Sequence, residues 1–240
     1  MFTVHRIAAP RTETRKKDET ELGIHLRRPG NTFLGAGGFI RKSFEQGHEV
    51  VVLTVSGHLP PLYPREAYET TVREAAKAHK ILGVSESINL EVPATMVATH
   101  PVSELNGMIL KVVNDIKPKK VLIPYPDRHI DHRAIFDSAL AATRPVGPAG
   151  AGIEIVAAYE TLSETHWNAP HIEPNFTPNW VANITDQLDQ KLKALGCFES
   201  QVHPFPHPRS VEAARGLSIF RGTQAGFAYG ESFHIIRMCT

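Results

Sequence analysis

Cysteine is scarce in this chain of 240 residues, with Cys197 and Cys239 the two it has. Two thiols are too few for a disulfide framework, and their separation is not that of a thiolate zinc site, so a reducing cytoplasm is the expected setting. Net charge is nearly absent as well, since 26 Lys and Arg face 25 Asp and Glu for a formal +1. That balance offers no global field to gather phosphate backbones, and nucleic acid is not an expected partner. No apolar run approaches the roughly 18 residues of a membrane span, and the opening MFTVHRIAAPRTETRKKDETE lacks a secretory apolar core. The dinucleotide fingerprint is missing too. Gly35, Gly37 and Gly38 lack the full G-x-G-x-x-G with a downstream acid, and a tight turn packing a helix against a strand accounts for them better than a nicotinamide site.

What remains is an ordinary globular composition, 42% hydrophobic and 21% charged, at a length that suits one domain of about 150 residues or somewhat more. Residues 1–21 are polar and charge-mixed, from Arg15 to Glu21 most densely, and are expected as a flexible N-terminal tail before a single domain over 22–240. Helical and apolar strand patterns then alternate. A glycine loop at Gly35–Gly38 leads to a helix from Phe39 to Gln46 and a buried strand over Val50–Val55. A helix from Tyr68 to Leu82 closes on Gly83, a strand covers Ile88–Val92, and a helix from Ser103 to Ile116 stops at Pro118. The strand Lys119–Pro124, a helix near Asp131–Thr143 and a strand over Glu154–Leu162 follow, with helices near 186–197 and 209–221 in a less regular remainder. Crossovers of helical length predict an α/β fold, a mostly parallel sheet flanked by helices, with ligands beyond the carboxyl ends of the strands.

Histidine is plentiful, at 13 residues, and clusters where a strand ends and a helix begins, in Pro126-Asp127-Arg128-His129-Ile130-Asp131-His132. His129 and His132 are three apart, so in a first helical turn they share one side and can address one ion or one reacting group. Asp127 or Asp131 can orient an imidazole through its second nitrogen.

The runs LGAGGFIRKSFEQGHEVVVLTVS, REAAKAHKILGV, VLIPYPDRHIDHRAIFDSAL, ETLSETHW and ALGCFESQ resemble the LmbE-like, or PIG-L, deacetylases over roughly residues 22–238. The resemblance implies a Rossmann-like sheet carrying a Zn2+-dependent amidase that hydrolyses N-acetyl groups of N-acetylglucosamine-type substrates. It implies His132 as a zinc ligand, His129 as the imidazole that stabilises the oxyanion or donates a proton, and Asp131 as its supporting carboxylate. A basic residue near Arg73 faces substrate in the family, with a solvated helix charge as the plainer role. Tyr125 and Tyr63, in loops at the expected mouth, are aromatics suited to stacking on a sugar or equally to packing in the core or rim. The proline-rich segment carrying His203, His207 and Arg209 is expected as a wall over the site, with direct ligand contact as the lesser alternative. The expected partner is a small-molecule amino-sugar conjugate, with homo-oligomerisation left open.

One half of the family pattern departs. The Ala-His-Pro-Asp-Asp-Glu-like motif before Leu34-Gly35 is Arg27-Arg28-Pro29-Gly30-Asn31-Thr32 here. Arg28 has no lone pair to give, Gly30 has no side chain to act as base, and Asn31 offers only a neutral oxygen. A second function therefore stands beside hydrolysis, that of a catalytically inactive homologue binding carbohydrate or serving as a scaffold. A third possibility is compensation by His25, Asp18 or Glu21 as replacement ligands.

Overall fold

The computed structural model describes the backbone of residues 5–8, 20–25 and 29–239 and the side chains of residues 34–239. Along the chain the elements are β1 (His5–Ala8), β2 (Thr20–His25), α1 (Pro29–Glu45), β3 (Glu49–Gly57), α2 (Arg65–Leu82), β4 (Glu86–Pro93), α3 (Val102–Ile116) and β5 (Lys120–Pro124). Then come α4 (Ile130–Ala142), α5 (Gly147–Gly150), β6 (Ile155–Tyr159), α6 (Leu162–Thr165), β7 (Trp180–Asn183), α7 (Leu188–Gly196), α8 (Val211–Thr223) and β8 (Gly230–Met238).

The strands form one sheet in the order β1-β4-β3-β2-β5-β6-β8-β7. Its middle, from β4 to β6, is parallel, and β1, β8 and β7 pair antiparallel at the two edges. Both faces of the middle are covered, which is why β3 reads as an unbroken apolar run. Val51, Leu53 and Val55 pack with Ile109, Val113 and Ile135 of α3 and α4 on one side. Val50 and Val52 pack with Ile40, Ala78, Leu82 and Phe198 on the other, as the alternation of strand side chains requires. No helix among the described residues is long and apolar enough to cross a membrane.

The structure corrects three expectations. Residues 5–8, inside the expected tail, form β1 on β4, and Thr20 already opens β2, which lies in register between β3 and β5. An edge strand needs backbone partners rather than an apolar run, so composition does not reveal it; residues 9–19 of the expected tail lie outside the described residues. Gly35–Gly38 do not form a loop but lie within α1, where packing requires glycine at positions 35 and 38. A Cβ on Gly35 would stand 2.3 Å from the carbonyl oxygen of Glu160, and one on Gly38 would stand 2.7 Å from Ile184. The irregular remainder contains β7 and β8, which extend the sheet past β6.

A buried charge network fastens α1 to that extension. Glu231 of β8 accepts the backbone N–H groups of Gly38 (2.8 Å) and Phe39 (2.7 Å). Its Oε1 also lies 2.8 Å from Nζ of Lys191 in α7, and both side chains are almost fully buried. Lys191 in turn donates to Ser218 Oγ of α8.

Candidate active site

β5 delivers the chain to the carboxyl edge of the sheet, where Tyr125 N–H still bonds to the Tyr159 carbonyl of β6 (2.9 Å) before the chain turns into α4. Asp127, fully buried, organises the turn. Its Oδ1 accepts from His129 N (2.9 Å), and its Oδ2 accepts from Thr165 Oγ1 (3.0 Å). The same Oδ1 stands 2.8 Å from Nδ1 of His132, close enough for an ion pair but not aligned for a straight N–H···O bond. A carboxylate at Nδ1 holds a neutral ring's proton there and leaves the Nε2 lone pair available. That Nε2 is buried and has no hydrogen-bond partner among the described residues.

His129 is the N-cap of α4. Its Nδ1 accepts from Asp131 N at 3.2 Å, so the neutral ring carries its proton on Nε2 and presents that nitrogen as a donor. The two imidazoles stack with centroids 4.9 Å apart and 25° between planes. Asp131, also fully buried, reaches His129 through its backbone, and its carboxylate Oδ2 accepts from Thr95 N (2.8 Å), tying α4 to the segment after β4.

The other expected residues are placed as follows. Tyr125 is half-buried, donates its hydroxyl to the Asn175 carbonyl (3.0 Å) and meets Phe176 edge-on. Burial, then the Asp127 charge, raises its phenol above the usual range. Arg73 is not brought to this group. It is exposed on α2 and donates to Thr70 (2.9 Å), one of the residues lining a separate cavity of about 320 Å³ with His58, Glu66, Thr71 and Ser200. Arg28 lies outside the described residues, as does the side chain of Asn31; the backbone of Gly30 and Asn31 is in the first turn of α1. Asp18 and the side chains of Glu21 and His25 are likewise outside them.

Sequence reasoning missed the support around α6. Glu160, directly after β6, is buried and takes both Nε (2.8 Å) and Nη2 (2.7 Å) of Arg221 and Nε2 of His166 (2.8 Å). Burial by itself raises its pKa, but the bonds from His166 and Arg221 prevail and hold it below the usual carboxylate range. Glu164 pairs with Arg128 and with Arg209, each at 3.0 Å, so the proline-rich wall is fastened to α6. The run ETLSETHW was the available signal, because its acids fall just past a strand end.

Among the described residues the donors for a catalytic zinc are incomplete. A catalytic zinc site takes three protein ligands and a water, yet His132 Nε2 is one donor, and among the described residues no three His, Cys, Asp or Glu side chains are grouped to hold a metal. The identities at positions 28, 30 and 31 do not supply the missing donors.

Residues 29–143 match the family profile described as "PIG-L: GlcNAc-PI de-N-acetylase". The diacetylchitobiose deacetylase of Thermococcus kodakarensis is 24% identical over 225 residues, 87% of this chain and 80% of the relative. The N,N'-diacetylchitobiose deacetylase of Pyrococcus horikoshii superposes with a TM-score of 0.71 at 23% identity, covering 91% of this chain and 84% of that one. The 4-carboxy-2-hydroxymuconate hydratase GalB of Pseudomonas putida KT2440 superposes with a TM-score of 0.73 at 18% identity, covering 92% and 98%. Such likenesses fix the fold, and the hydratase among them shows that one fold carries more than one reaction.

Proposed function

We propose, from the premise that this chain carries a PIG-L family domain, that its substrates are N-acetylglucosamine-type amino sugars and its reaction class is hydrolysis of their N-acetyl group. The Thermococcus relative acts on an amino sugar by its name. The observation that carries the reading is the assembled half-site, Asp127, His129 and His132, at the carboxyl edge of β5. Amide hydrolysis needs a donor for the oxygen that becomes negative, and the Nε2–H of a neutral His129, whose Nδ1 accepts from Asp131 N, is a donor of that kind. Asp127 sets the His132 ring, and Asp131 fixes α4 so that both imidazoles keep their places.

A second reading, a non-catalytic amino-sugar binder, is favoured by the residues at positions 28, 30 and 31. Arg28, Gly30 and Asn31 hold neither base nor anionic ligand, and a general base is worth about 10²- to 10⁴-fold in rate.

Acetate release and calorimetric binding of N,N'-diacetylchitobiose separate the two. The wild-type chain, tested with and without added zinc, is compared with His129→Ala and with the triple variant Arg28→His, Gly30→Asp, Asn31→Asp. Acetate release that His129→Ala abolishes and the triple variant raises about 10²-fold or more supports hydrolysis. Binding without acetate in any form supports the binder. Neither binding nor acetate sinks both.

A further inference from the structure

An exposed tryptophan standing alone needs no explanation. Trp167, 57% exposed, does not stand alone. The three residues before it are each fixed to the floor of the site: Glu164 by Arg128 and Arg209, Thr165 by Asp127, and His166 by Glu160. The guanidinium of Arg128, one residue before His129, lies 5.6 Å from the Trp167 ring centroid. The indole thus stands beside a cation, on a segment whose three preceding residues are anchored, and next in the chain to the imidazole bonded to Glu160.

We infer that Trp167 is a stacking platform for a pyranose ring of the substrate, with Arg128 and His166 as the hydroxyl-binding groups beside it; the inference rests on the amino-sugar reading above and extends it to a sugar-ring subsite. A pyranose has an apolar C–H face that suits an indole and a rim of hydroxyls that suits charged, planar side chains. Arg128 carries five N–H donors, and its pairing with Glu164 leaves others to spend on hydroxyls. His166 has Nε2 engaged by Glu160 and keeps Nδ1 for a hydroxyl. The anchoring matters because the segment that carries the indole need not be ordered on binding, which leaves the two side-chain torsions of Trp167 to settle.

The chain has two tryptophans, Trp167 and Trp180, and Trp180 packs between Phe39 and Phe233 on β7, so intrinsic fluorescence can be assigned. Metal-free protein is titrated with N,N'-diacetylchitobiose and with cellobiose, by fluorescence and calorimetry. A saccharide-dependent spectral shift is expected in wild type and in Trp180→Phe. It should vanish in Trp167→Ala with affinity about tenfold weaker and persist in part in Trp167→Phe, all variants being checked for native thermal unfolding. Unchanged affinity in Trp167→Ala, a signal that follows Trp180, or no saccharide bound by wild type overturns the platform. Cellobiose bound through Trp167 as well as the acetylated sugar keeps the platform and removes the amino-sugar reading. Acetylated sugar bound equally by wild type and Trp167→Ala does the reverse.

Discussion

Two buried carboxylates, Glu231 and Asp127, sit in the same molecule and differ in what they leave over. Glu231 binds Lys191 and two backbone amides of α1, and Lys191 is bonded onward to Ser218. Every member is spent on another part of the fold. Asp127 likewise holds a backbone N–H, a threonine hydroxyl and an imidazole, but the imidazole it holds has a second nitrogen that is buried with no partner among the described residues. Burying a polar atom unpaired costs about 1–3 kcal/mol. Among the described residues the Glu231 network closes on itself, whereas the Asp127 network ends on an imidazole nitrogen at the carboxyl edge of the sheet, and this is what separates a site from a staple.

The largest expected effect breaks the staple. Lys191→Ala leaves the Glu231 charge buried without its cation and should lower unfolding free energy by about 3–5 kcal/mol, as read from denaturant midpoints. His132→Ala should cost less stability while removing the proposed hydrolysis; an equal loss of stability in both variants would erase the distinction between staple and site.

Acid titration sharpens it next. Burial in α2 lowers His79 from 6.5 to about 4. Between those values the unfolded chain binds the proton and the folded chain does not, so stability falls as pH drops through this window, by about 3 kcal/mol at 1.36 kcal/mol per unit. Glu160 works at lower pH. Its pKa is depressed from 4.5, so its contribution is present above that value and is lost as pH falls through its folded pKa. His79→Leu should flatten stability between pH 6.5 and 4 and leave the loss at lower pH in place. A pH profile unmoved by that variant would refute the assignment.

The smallest effect is expected from Thr165→Val, which removes the bond to Asp127 and the one its hydroxyl accepts from Thr161 N and should cost about 2 kcal/mol of stability. Its sugar affinity should fall by a larger factor than that of an equally destabilised variant elsewhere, and Thr165→Ser should restore both. Calorimetry on the pair checks this.

The β5–α4 half of the site was legible because its chemistry is local. Strand, turn and two histidines lie within one short run, and the cap that His129 makes involves a residue two positions away. Four of the five parallel strands, β3, β4, β5 and β6, were legible because burial on both faces writes apolar runs such as Val50–Val55 into the sequence, whereas β2, with the mixed sequence TELGIH, carries no such run and was missed. The staple was not, because Glu231 and the amides it accepts are 193 and 192 residues apart, and nothing near either end announces the other. β7 escaped because four residues carry too short an alternation, and α6 because a single helical turn carries no periodicity.

Gly35 works as a gauge. Because α1 rests at that point on the carbonyl of Glu160 and the ring of Tyr159, the helix is spaced from the end of β6 by a contact that leaves no room for a side chain. A single methyl at Gly35 would push the helix off the strand end, and so disturb the residues that follow β6 without altering one of their polar groups.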